Sequence, residues 1–200
     1  MSKTYRETKP RRDCEQRLLG DLNNRFSRIF AGFSGAIAEW GNSPTSDCVN
    51  ERARVIASKM MAMAALHGAL SAAPPVGESL EHYCRSLCVA ILTATDRTDV
   101  HVAAIMDDVR LSPQKELRLG HLVCELVTAA LEDCPANGVI RIELRHCDSR
   151  LLTLSVRSSR GVRPCAPIHR PALCDLVECL GGRQISAVGS ACGVQIQIPL

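Results

Sequence analysis

Leu119-Gly120-His121-Leu122-Val123-Cys124-Glu125-Leu126-Val127-Thr128-Ala129-Ala130-Leu131 is the stretch on which the reading of this chain turns. Its apolar periodicity predicts a helix over 118–132. Strands flank it on both sides. Residues 100–105 read as one strand, and 139–145 and 151–156 as a pair with alternating polarity. Further on, 171–180 reads as a helix closed by Gly181-Gly182. Residues 184–187 and 194–198 complete the strands. Upstream, Ser79 stands as N-cap to a helix with Leu80, Tyr83, Leu87, Ala90 and Ile91 on one side. Mixed strands with helices on one face predict a two-layer α/β sandwich over 79–200.

The residues before it follow a different period. Leu18, Leu22, Phe26, Ile29, Phe33, Ile37 and Trp40 recur at alternating spacings of three and four, one stripe of a long helix. Gly41-Asn42-Ser43-Pro44 breaks that helix. A second helix is expected from about Asp47 to Ser71, striped by Val49, Ala53, Ile56, Met60, Met63, His67 and Leu70. Two such helices joined by a turn make an antiparallel hairpin over 13–73. Pairing two copies into a four-helix bundle would bury their seams, and docking on the following domain is the other way to cover them. The fold class is therefore α+β. Residues 1–12 read as a basic tail, and the segment 72–77, with Pro74-Pro75, as a linker.

The 200 residues are 46% hydrophobic and 22% charged, a globular balance. A net charge of +3 and 3% aromatics speak against coating or stacking on nucleic acid. No apolar run reaches the roughly 18 residues of a membrane span, and the N-terminal residues lack an apolar signal core, so a cytoplasmic location is expected. Eleven cysteines are many for such a chain. Cys84, Cys88, Cys124, Cys174 and Cys179 lie in apolar periodic segments, where thiols act as small hydrophobes. A metal site built from Cys84, Cys88, His82, His121 and Cys124 is the alternative, but zinc sites usually contain a CxxC pair and this chain has none.

The order hairpin, linker, capped helix, sandwich resembles the bacterial sensor histidine kinases of the HWE type, over roughly residues 14–200. Residues 119–131 are similar to the family's LGLIVNELVTNAL segment. Asp107-Asp108-Val109-Arg110-Leu111, the strand 138–144, Leu180-Gly181-Gly182 and the closing Val194-Gln195-Ile196-Gln197-Ile198-Pro199 also fit. The resemblance implies a dimerising, phosphoaccepting hairpin followed by an ATP-binding sandwich of the Bergerat type.

The departures fall on the chemistry. Asn24, in Leu22-Asn23-Asn24-Arg25-Phe26-Ser27-Arg28, stands where the family carries its phosphoaccepting histidine, and a carboxamide nitrogen is not a nucleophile. Cys124 and Ala129 fall where two asparagines help hold Mg²⁺ against the phosphates. Glu125, the family's polarising glutamate, is retained. Ser158 replaces the aspartate that binds the adenine amino group, and Arg160 enters the glycine-rich turn. Pro167-Ile168-His169-Arg170-Pro171 takes the place of the glycine-rich stretch that lets backbone approach phosphate.

The expected function is thus a histidine-kinase-like signalling protein that has lost ATP and Mg²⁺ binding and does not autophosphorylate. As a homodimer it would dock a response-regulator receiver domain or a partner kinase through Asp21, Asn24, Arg25, Ser27 and Arg28, with no nucleic acid, membrane or cofactor involved. The alternative is an active kinase or phosphotransferase with a relocated acceptor such as His67.

Overall fold

In a computed structural model the described residues are 46–71, 74, 77–161, 171–185 and 191–200. The first hairpin helix, the basic tail, the docking residues Asp21, Asn24, Arg25, Ser27 and Arg28, and the segment 162–170 lie outside them, as do the side chains of Ala53 and Arg160. The chain divides into two compact units, one ending at Met61 and the other running from Ala62 to Leu200.

Helix α1 spans Ser46–Ser71. Of its expected stripe, Ile56, Met63 and Leu70 are buried, a spacing of seven that marks one row of the helix. Met60 is 49% exposed and His67 is exposed as well, so the second row is open. The rest of the expected seam is thus left uncovered within a single copy.

The second unit is the sandwich. Helix α2, Leu80–Ala94, starts where Ser79 Oγ accepts the His82 amide at 3.1 Å. It buries Leu80, Tyr83, Leu87, Ala90 and Ile91, the expected face, and adds Cys84 and Cys88. Strand β1, His101–Met106, leads into helix α3, Pro113–Asp133. That helix begins five residues before the expected start. Ser112 caps it and Pro113 fills its first turn, while Gln114, Lys115 and Glu116 supply no apolar period for a sequence reading to detect. Strand β2, Val139–Asp148, and strand β3, Leu151–Gly161, follow. Helix α4, Pro171–Cys179, and strands β4, Arg183–Ile185, and β5, Ala191–Pro199, close the chain.

The strands form one sheet in the order β1-β2-β3-β5-β4. β1 and β2 are parallel, joined by the α3 crossover, and the other three pairings are antiparallel. Alternation decides which face is covered. Ile140, Ile142 and Leu144 of β2, Leu152, Leu154 and Val156 of β3, and Val194, Ile196 and Ile198 of β5 are all buried. Each such side chain contributes roughly 1.5–3 kcal/mol by leaving water. Helix α3 packs on β2 and β3 and is flanked by α2 and α4, so the expected two-layer sandwich is what forms. The opposite face of the sheet is polar. There Arg141 of β2 is in register with Arg157 of β3, and Gly193 of β5 makes room for the Arg157 stem, because a Cβ would lie 2.6 Å from its Cγ.

Two edges are closed locally. Arg85 of α2 donates from a terminal guanidinium nitrogen to the Ala104 carbonyl of β1 at 2.7 Å, on a strand at the margin of the sheet. At the end of α4, Gly181 N–H donates to Glu178 O and Gly182 N–H to Val177 O, both at 2.8 Å, with Gly181 at φ +67°. This is the glycine stop that Gly181-Gly182 predicted.

The cysteines divide. Cys84, Cys88, Cys124 and Cys134 are buried and form no disulfide, whereas Cys174, expected inside, is exposed. Cys179 is disulfide-bonded, so it is not the buried thiol that its apolar segment suggested.

Candidate functional site

The sequence placed the site on the central helix and on the strand beneath it. Both ends of α3 are fixed by polar side chains. Ser112 holds the first turn. At the other end Arg97, from the turn after α2, donates to Leu131 O at 2.9 Å, Cys134 O at 2.8 Å and Pro135 O at 3.2 Å. Leu131 lies in the last turn of α3 and its carbonyl also accepts the Cys134 amide at 3.3 Å, while the other two carbonyls lie just past the helix end, Pro135 O also accepting the Gly138 amide at 3.0 Å. Asp99 orients Arg97 through a 3.2 Å bond and accepts the Asn137 amide at 3.2 Å. The Arg97 bond chiefly holds the Asp99 carboxyl below the usual carboxylate range.

The Leu119-Gly120 pair has a packing cause. A Cβ on Gly120 would lie 2.5 Å from Tyr83 Oη and 2.7 Å from Tyr83 Cε1, so only glycine lets the ring lie against α3. Tyr83 donates its hydroxyl to Ala69 O at 3.0 Å, and His121 Nε2 meets Leu70 O at 3.0 Å. Sequence reasoning counted Tyr83 as stripe and missed this role. A hydroxyl-bearing aromatic in a buried stripe was the available signal.

Cys124 is 1% exposed and sits near Tyr83 and Cys84 of α2. Burial is the main force pushing the pKa values of Tyr83 and Cys84 above their ordinary range, and it pushes Cys88 up to about 12. The Cys84 and Cys88 thiols therefore stay protonated and unreactive at neutral pH. Among the described residues no group of three or more His, Cys, Asp or Glu could hold a metal ion. His82, considered with them as a ligand, instead faces Glu78 at 3.7 Å on the surface.

Glu125 is buried and not free. Ala129, one turn later on the same side of α3, is half-buried and offers only a methyl group. Ser158 of β3 pairs with Ile140 and shares the helix-facing side with Val156, so it points into the layer that α3 covers. Its Oγ is fully buried and has no hydrogen-bond partner. A neutral hydroxyl can make one or two hydrogen bonds there, but it cannot offer the fixed negative charge of an aspartate. The structure thus brings Cys124, Glu125 and Ala129 together on α3 and sets Ser158 on a strand packed beneath that helix. His67 lies apart, exposed on α1.

No protein-family profile matches the chain, and no curated protein matches it. Solved structures do. The histidine kinase domain of the Erythrobacter litoralis EL346 blue-light activated histidine kinase is 19% identical, with a TM-score of 0.53 over 87% of this chain and 94% of that domain. The longer EL346 protein is 20% identical, with a TM-score of 0.55 over 90% of this chain, which spans 60% of its length. A histidine kinase from Burkholderia phymatum STM815 aligns over 99% of both chains at 15% identity and a TM-score of 0.47. The first two establish the fold: an α+β domain of the histidine-kinase ATPase type.

Proposed function

We propose that the chain is a histidine-kinase-like signalling module that binds protein partners and does not phosphorylate itself from ATP. The observation that carries the reading is the donor set. Where a nucleotide-binding sandwich needs a side-chain oxygen for Mg²⁺ and a carboxylate for adenine, this chain has the methyl of Ala129 and the unpartnered hydroxyl of Ser158. Cys124 offers a thiol near Tyr83 and Cys84 in place of a side-chain oxygen. Glu125 alone has neither metal nor nucleophile to act with.

On this reading the hairpin makes a homodimer, and its outer face around Asn24 docks a receiver domain or a partner kinase, with Asp21, Arg25, Ser27 and Arg28 in contact. The exposed apolar side chains Val55, Met60 and Met61 on α1 are compatible with a covered interface. The HWE subtype and the cytoplasmic location belong to the same proposal. No described helix is long and apolar enough to cross a membrane.

The test is incubation of the purified full chain with γ-labelled ATP, with and without Mg²⁺, followed by acid and base treatment. No acid-labile label is expected, and calorimetry should detect no Mg²⁺-dependent nucleotide binding. Phosphohistidine formation would falsify the reading. Receiver binding is tested separately with Arg25→Glu, which should weaken it.

One observation favours a second reading. His67 is exposed on α1 in a single copy of the chain. A phosphotransferase with its acceptor at His67 would take label from a phosphorylated receiver, and His67→Gln would abolish that transfer.

A further inference from the structure

We propose that Tyr83 and His121 act as a clamp that couples the end of α1 to the ridge of α3 carrying Glu125 and Ala129. The last turns of α1, from Ala62, belong to the same compact unit as the sandwich. A helix end leaves its final carbonyls without partners, and α1 has no basic residue in its last turn to meet them. Ser71 Oγ turns back onto the His67 carbonyl, one residue before the last four, and so meets none of them. Two of the last four are met from the sandwich: Tyr83 Oη donates to Ala69 O and His121 Nε2 bonds Leu70 O, each at 3.0 Å. Leu70 itself is buried, as is Tyr83, whose ring is seated against Gly120.

Both contacts converge on adjacent residues of α3. Gly120 holds the Tyr83 ring and His121 holds the Leu70 carbonyl. His121, Glu125 and Ala129 are spaced by four and so line one ridge of α3. A shift or rotation at the end of α1 must therefore break two hydrogen bonds to buried or half-buried groups or carry that ridge with it. Close-packed helices with a shared hydrogen bond respond as a unit rather than by continuous deformation. The coupling deepens the signalling role proposed above, yet it operates whether or not nucleotide binds, so the two fail independently.

The test is amide hydrogen exchange by mass spectrometry on the full chain. Ala65→Gly, at an exposed position of α1, loosens the helix without touching the sandwich. With the clamp intact it should speed exchange in 62–71 and also in 121–129, each by roughly three- to tenfold. In a Tyr83→Phe, His121→Ala background, Ala65→Gly should still loosen 62–71 but add nothing at 121–129. His121→Gln, which keeps a donor, should restore part of the coupling. Should the double variant lose its helical circular dichroism, the isosteric Tyr83→Phe alone carries the comparison. An equal response of 121–129 with and without the clamp, or no response in the wild-type clamp, overturns the proposal.

Discussion

Two single atoms separate packing from chemistry in the sandwich. Gly120 has no room for a methyl group, because the Tyr83 ring occupies the place where its Cβ would go. Gly120→Ala is expected to destabilise the fold by roughly 1–3 kcal/mol, as overpacked core positions do, with a lower urea midpoint as the readout. Ser158 presents the opposite case. Its buried hydroxyl has no partner, so Ser158→Ala removes an unmet polar group rather than an interaction. Stability should be unchanged or rise by up to about 1 kcal/mol, and a clear loss in urea titration would mean that the hydroxyl is bonded in solution. The sequence pointed to Ser158 by its place in a motif. It could not show the buried oxygen, since that depends on how β3 lies under α3.

The elements are held by side chains that reach backbone far away in the chain. Arg97 closes α3 by donating to three carbonyls more than thirty residues on. Arg97→Met, which keeps the stem and deletes the donors, should cost roughly 1.5–3 kcal/mol and fray the end of α3, seen as faster exchange at 128–133. Asp107, after β1, ties that strand to β2 by accepting the His146 amide and the Arg145 guanidinium, both at 2.8 Å. The amide bond first, then the Arg145 contact, holds its carboxyl below the usual range. A depressed folded-state value means that its stabilisation is complete above about pH 4 and is lost as pH falls through the folded value. Urea midpoints should therefore fall less steeply below that pH in Asp107→Asn than in the parent chain.

Helix and strand identities were legible because capping, glycine stops and alternation are local signals, as Ser79, Gly181-Gly182 and Val194-Gln195-Ile196 show. The early start of α3 was not legible, because its first turn is polar. The long-range contacts of Tyr83, Arg97 and His121 were not either, because nothing in a neighbouring residue encodes them.

At the scale of the molecule, the chain joins a helical segment to a sheet whose second face carries mostly polar side chains among the described residues. The sequence period alone suggested a full heptad seam on α1, but only the row of Ile56, Met63 and Leu70 is buried. Periodicity records which positions are apolar and not which of them find a neighbour. If the open row is the contact between two copies, as proposed, Met60→Glu should weaken the dimer at least roughly tenfold, since it sets a charge in an apolar interface. Sedimentation equilibrium measures this directly, and an unchanged dissociation constant would move the contact elsewhere.

The Arg85 contact with Ala104 has a bearing on life in a crowded cell. A marginal strand normally presents free carbonyls to any passing extended peptide, which is how runaway fibre growth begins. Here the Arg85 guanidinium, itself paired with Glu81 at 2.8 Å, already occupies one of those oxygens. The same side chain that fastens a helix to the sheet thus also deters self-templating, at a margin that a parallel strand would otherwise leave open to recruitment.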